Sequence, residues 1–170
     1  LRNLSKLIFD KTIVRLHHTS LEKENIDSFG ERYVLRKKFP LIKIDNGLTK
    51  LQSLVNQNKL FVFSYDGTGI LEFLYSDIPF IAFWPNKKEH LLDDLEILKL
   101  YDDFYKVGIF FSNGAEAALT INKRWNEIEN WWNSNEVKLA KDNFKKYFSL
   151  YKFNKHRSLA KIFEDNLKKM

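Results

Sequence analysis

The sequence predicts an α/β fold: a parallel sheet flanked by helices, followed by an all-helical C-terminal segment. Two observations carry this. Residues 60–65 (LFVFSY) and 80–84 (FIAFW) are nearly continuous apolar runs, and a Gly-containing turn and a short apolar helix separate them, all within 25 residues. From residue 124 onward no strand pattern returns, and apolar residues fall at helical spacing.

Each element follows from its residues. Residues 2–9 (RNLSKLIF) form a short amphipathic stretch that ends a helix, and 11–17 (KTIVRLH) form a strand through the β-favouring Ile13, Val14 and Leu16. The polar stretch 18–38 reads as a loop with a helical turn in it. Residues 39–45 (FPLIKID) alternate as a strand does and stop at Asp45-Asn46-Gly47, a turn signal. Leu48, Leu51, Leu54 and Val55 recur at helical spacing over 48–58. The run 60–65 predicts a strand buried on both faces. Asp66-Gly67-Thr68-Gly69 break it, 70–76 (ILEFLYS) make the short helix, and Pro79 introduces the strand at 80–84. Strand, turn, helix and strand in this compass make a right-handed βαβ unit. Residues 89–106 suit a longer helix with Leu91, Leu92, Leu95, Leu98 and Tyr101 on one side. Residues 107–111 (VGIFF) suit a further strand, and Ser112 the cap of a helix over 114–123. Two more helices are expected over 135–150 (Val137, Leu139, Ala140, Phe144, Phe148) and 155–169 (Leu159, Ile162, Phe163, Leu167). This order of elements is that of a Rossmann-like domain.

Composition narrows the chemistry. At 170 residues the chain suits one ordinary domain, and 44% hydrophobic with 15 Phe provides a sizeable core. There is no Cys, which excludes disulfides, thiolate metal sites and cysteine nucleophiles. The four His show no paired metal spacing, so neither a metal nor another cofactor is expected. No apolar run approaches the roughly 20 residues of a membrane span. The chain opens on Leu1, without an initiator Met or a leader pattern, and is expected to be a fragment or excised domain.

The net charge of +6 is uneven: residues 121–170 hold 12 basic and 6 acidic side chains, whereas 1–120 balance. Lys-rich helices with a solvated face explain the excess, and an anionic membrane surface is the best functional alternative. Nucleic acid is not expected as a partner. The basic excess lies away from the aromatics that would stack bases, and Lys rather than Arg supplies it.

The chemistry concentrates at 64–72. In an open parallel sheet, ligands bind beyond the carboxyl ends of the strands, where the turn SYDGTG falls. Gly67 and Gly69 allow close approach to the backbone, and a helix start presents unpaired N–H groups that suit phosphate. Ser64 and Thr68 can add hydroxyl bonds, and Glu72, one turn in, suits the donors of a ribose diol. The same residues also fit a plain role: a tight turn at Gly67 and Gly69, an N-cap at Thr68, and a solvated Glu72. Asp66 serves either the turn or a sugar. Arg15, His17 and His18, in RLHHTS after the first strand, are candidate phosphate contacts, with Arg15 alternatively paired to an acid. Asp45 and Asn46 are candidate base-contacting residues. Trp125, Trp131 and Trp132 suit a sugar-stacking platform, but packing against the sheet is the simpler use of such spacing.

The succession RLHH, FPLIKID, LFVFSYDGTGILEFLYSDIPFIAFWP, GIFFSNGAEAALTIN and WW resembles the C-terminal half of a transferase family of bacterial surface-carbohydrate biosynthesis, similar to GT-B glycosyltransferases. The resemblance spans about residues 11–150. It implies that residues 1–150 are a Rossmann-like domain binding a nucleotide-sugar donor. Residues 151–170 are then a C-terminal helix that packs on it or crosses to a missing N-terminal domain. It places Ser64, Asp66, Gly67, Thr68, Gly69 and Glu72 on the donor motif. RLHH is more distantly similar to the His-Pro motif of transferases that use CMP-linked sugars, although Thr19 stands where Pro is expected. The implied acceptor is a glycan or lipid-linked glycan, and the implied location is cytoplasmic, peripheral to the inner membrane face through the basic C-terminal helices. The catalytic acid or base would lie in the N-terminal domain, leaving this piece able to bind donor and unable to turn it over. A nucleotide-sugar epimerase, a polyol-phosphate transferase and a non-catalytic α/β interaction module remain alternatives.

Overall fold

The computed structural model describes residues 1–16, 30–45, 47, 49–84 and 95–148. Along the chain the elements are α1 (Lys6–Phe9), β1 (Ile13–Arg15), α2 (Glu31–Lys38), β2 (Lys43–Asp45), α3 (Leu51–Gln57), β3 (Phe61–Phe63) and α4 (Thr68–Tyr75). They continue as β4 (Phe80–Phe83), α5 (Leu95–Lys106), β5 (Phe110–Phe111), α6 (Gly114–Arg124), α7 (Ile128–Trp132) and α8 (Asn135–Phe148). The fold is α/β and Rossmann-like, with a helical C-terminal part. Every strand pairing among the described residues is parallel, in two ladders: β1-β2 and β3-β4-β5. The expected βαβ unit is β3-α4-β4, with Phe61 opposite Phe80.

The core forms where β4 lies between its two neighbours. Phe80, Ile81 and Ala82 are essentially inaccessible, which explains the unbroken apolar run. The adjacent run behaves differently. β3 is the edge of its ladder, Val62 is 48% exposed and Tyr65 is exposed, so the expectation of burial on both faces fails there. An apolar run alone does not distinguish a central strand from an edge strand.

Helices α4, α5 and α8 pack together, and α6 packs on β4 and β5. Phe104 of α5 stacks on Phe144 of α8 with centroids 4.5 Å apart and planes 10° apart, and Phe104 meets Phe110 of β5 edge-on at 4.8 Å. The buried stripe of α5 runs through Leu100, Tyr101 and Phe104, whereas Leu95, expected on the buried side, is exposed. The cap of α6 is Asn113, not Ser112: its Oδ1 accepts from the amides of Ala115 at 3.0 Å and Glu116 at 2.9 Å. Where a loop with a single turn was expected, α2 makes two turns of helix. It buries no residue, so no apolar stripe announced it. Leu48, Leu91, Leu92 and the expected helix at 155–169 lie outside the described residues.

Two helices end in the same way. At Gly108 (φ 74°) the amide of Ile109 reaches Phe104 O at 2.9 Å, closing α5 with a left-handed residue. At the end of α4, Asp77 takes that position with φ 54°, and Ile78 N reaches Phe73 O at 2.9 Å. A non-Gly residue in this conformation costs about 1–2 kcal/mol. The Asp77 side chain offsets this by what it holds. Its Oδ1 accepts from Lys141 Nζ at 2.7 Å and from Trp132 Nε1 at 3.1 Å. Lys141 also donates to Trp132 O and lies 4.1 Å from the centre of the Trp132 ring. Trp131 donates its indole N–H to Val107 O at 2.9 Å. Trp131 and Trp132 are therefore packing residues, buried and bonded, rather than a platform for sugar.

Candidate functional site

The stretch read as a ligand loop leaves β3 at Ser64 and enters α4 at Thr68. Gly67 is the N-cap, in extended conformation and without a side-chain capping bond, so Thr68 stands inside the helix and is not its cap. As at any helix start, the first amides of α4 lack intrahelical acceptors. Ser64, Thr68 and Glu72 are all exposed. Thr68 and Glu72 are four apart on α4, hence neighbours on one face, about 6 Å apart along the axis. Ile70, Phe73 and Leu74 hold the other side of the helix in the core.

The two glycines have a packing reason. A Cβ on Gly67 would stand 2.7 Å from Tyr65 Cε2, and one on Gly69 would stand 3.2 Å from Phe63 Cε1. The rings of Tyr65 and Phe63 thus lie against the turn. Tyr65, 61% exposed, is free on its outer side.

Asp66 has a definite protein partner. Its Oδ2 accepts from the Tyr101 hydroxyl at 2.8 Å, which ties the loop to α5. The Tyr101 ring is lodged among Trp84, Phe110 and Phe144. Burial, and then the hydrogen bond and charge of Asp66, raise the Tyr101 pKa well above that of an ordinary phenol. Burial, with Asp66 and Asp102, pushes Tyr105 up to about 12. In the fold these phenols keep their protons longer than in the unfolded chain. The associated stability is complete below the ordinary value of 10.0 and declines as pH rises through the folded values. Titration of tyrosinate absorbance should show Tyr101 and Tyr105 ionising late, with Tyr101→Phe removing the later of the two. A single ionisation of all tyrosines near 10 would mean that the Asp66–Tyr101 bond does not form in solution.

Arg15 proves to be paired, as its alternative reading held. It faces Asp45 at the last rung of the β1-β2 ladder, with Nη1 3.1 Å from Asp45 Oδ2. It also donates to Thr49 O at 2.9 Å and Gly47 O at 3.4 Å, fastening the turn that follows β2. Asp45 is buried, its carboxylate turned to Arg15, an arrangement suited to holding two strands rather than to reading a base. His17, His18 and Asn46 lie outside the described residues.

Several residues that matter here carried no motif. Tyr101 looked like one more core-side residue of its helix, and the Asp77–Lys141 pair joins positions 64 apart in sequence. Two surface clefts lie away from the 64–69 turn, both bordered by Lys59. Among the described residues no helix is long and apolar enough to cross a membrane, and no three His, Asp or Glu gather as a metal site.

No curated protein and no solved structure matches the chain. A family model described as LIC12162 family transferase matches residues 1–163. With nearly its whole length matched, the chain belongs to the LIC12162 family of transferases.

Proposed function

We propose that this transferase-family chain is the donor-binding half of a glycosyltransferase that moves a sugar from a nucleotide-sugar to a surface-polysaccharide acceptor. One observation carries the reading. Directly after the carboxyl end of a parallel strand, the exposed Ser64 begins a glycine turn, and the turn opens a helix whose exposed side presents Thr68 and, one turn in, Glu72. None of these three side chains has a hydrogen-bond partner among the described residues.

Glycosyl transfer builds negative charge on the leaving phosphate. Fixed donors aimed at that charge lower the barrier without reorganising. The amides of Thr68 and Gly69 and the hydroxyls of Ser64 and Thr68 supply such donors, and the positive end of α4 adds to them. Glu72 accepts from the ribose hydroxyls. Asp66 serves by holding the loop on Tyr101 and keeps its carboxylate away from the phosphate. His17 and His18 are the proposed cationic partners of the phosphate, and a CMP-linked sugar is the first donor to try. The acid or base of the reaction belongs to the other half of the enzyme.

Calorimetric titration with CMP, UDP, GDP and CDP tests this. At least one nucleotide should bind at millimolar concentration or below. Glu72→Ala and Thr68→Val should each weaken it about tenfold, or ~1.4 kcal/mol, with the fold unchanged. Absence of binding by all four, on a folded chain, would sink the proposal.

A further inference from the structure

A different end of the molecule carries a second site. β1 and β2 pair in parallel with Ile13 opposite Lys43, so Lys11 and Lys43 lie together at the amino ends of these strands. The segment 57–59 leads into the amino end of β3. Lys11, Lys43, Gln57, Asn58, Lys59 and Trp125 line one cleft of about 480 Å³. That is room for a small ligand.

The cleft has the chemistry of an anion site. No acidic residue lines it. Among the described residues no ion pair involves Lys11, Lys43 or Lys59. Lys59 is not a loose surface lysine: its ammonium donates to Trp125 O and lies 3.9 Å from the centre of the Trp125 ring. An ammonium has three donors, so two remain for a ligand. A second cleft of about 360 Å³, which Lys59 also borders, is lined by Asn126, Glu127, Glu129 and Asn130, together with Ile128. Carboxylates and amides suit hydroxyl groups as the lysines suit an anion. The two clefts share Lys59.

We infer that this lysine cleft binds the phosphate of a phosphorylated sugar or polyol, with the hydroxyls in the adjoining cleft. Such a group comes either from a soluble sugar phosphate or from a phospholipid headgroup. It is separate from the proposed donor phosphate. Lys59 precedes β3 and Ser64 follows it, about 17 Å apart at the rise of an extended strand, so one phosphate does not reach both.

The test uses the full chain in 150 mM salt (about the physiological ionic strength), where loose surface attraction is screened. Glucose 6-phosphate and glucose are titrated by calorimetry, and vesicles of phosphatidylcholine with and without phosphatidylglycerol are tested by co-sedimentation. Lys11→Gln with Lys43→Gln is the diagnostic variant, since both side chains are exposed and neither takes part in an ion pair among the described residues. Glucose 6-phosphate is expected to bind and glucose not to, with affinity falling at least about tenfold in the double variant and unchanged in Thr68→Val. Lysine-dependent binding to phosphatidylglycerol vesicles alone would support the site and name the lipid headgroup as its source. Binding of neither probe, binding indifferent to the two lysines, or binding lost in Thr68→Val would overturn it.

Discussion

Replacing Asp77 by Ala is expected to lower stability by about 2–4 kcal/mol, somewhat below the loss for a fully buried ion pair because water reaches the carboxylate. The pair is unequal. The Lys141 side chain is 4% exposed and the Asp77 side chain 56%. Removing the acid strands an ammonium in the core. Removing the lysine leaves a carboxylate that water can solvate, so Lys141→Met should cost only about 1 kcal/mol. Asp77→Gly separates charge from backbone. It gives up the same ion pair but relaxes the left-handed turn, and should be milder than Ala by about 1 kcal/mol. Denaturant melts of the three variants check the order Ala, Gly, Met, from worst to mildest. Equal losses for Asp77→Ala and Lys141→Met would show that the ion pair is not organised in this way. Acid provides a second check. Burial acts to raise the Asp77 pKa, but the bonds from Lys141 and Trp132 and the positive charges of Lys141 and Lys145 hold it below its ordinary 3.8. The folded state therefore takes up that proton less readily than the unfolded chain. The stabilisation is present above 3.8 and fades as pH falls through the folded value, a limb absent from the Asp77 variants.

Phe104→Ala should be the most damaging truncation, about 3–5 kcal/mol. Phe104 is wholly buried and touches both Phe144 and Phe110, so its ring is the joint between α5, α8 and β5. The loss should reach the loop as well, because α5 carries Tyr101. Thermal unfolding followed by circular dichroism gives the stability, and the latest tyrosine ionisation should move toward the ordinary value as α5 loosens. Phe104→Leu, which keeps most of the volume, should lose under about 1.5 kcal/mol. A Phe104→Ala protein as stable as the parent would mean that the three elements do not share this core.

Much of the fold was legible because it depends on local signals. The glycine turn at 67, the apolar run of β4 and the helical spacing of α8 each have a short-range physical cause. What was not legible depends on partners distant in the chain. LFVFSY and FIAFW look alike, and only the pairing order makes the first an edge. Leu95 has helical spacing like its neighbours but is exposed at the start of α5. At the candidate site the sequence located the turn and the carboxylate one helical turn in. It left Asp66 between two roles, because its partner Tyr101 comes from another helix. Gly67 and Gly69 were read as room for a ligand, and the rings of Tyr65 and Phe63 use part of that room. Nothing periodic marks Lys11, Lys43 and Lys59, which meet only once the strands are paired.

The bond between a buried phenol and the loop after β3 bears on recognition itself. To swing away, Asp66 would have to abandon a hydroxyl that burial leaves few alternatives to satisfy. The segment is thus tied down when α5 docks, and a ligand at the proposed donor site would meet a turn already fastened rather than a flap that must first be ordered. Donor binding there, as proposed, would not bear an ordering entropy that folding has already absorbed.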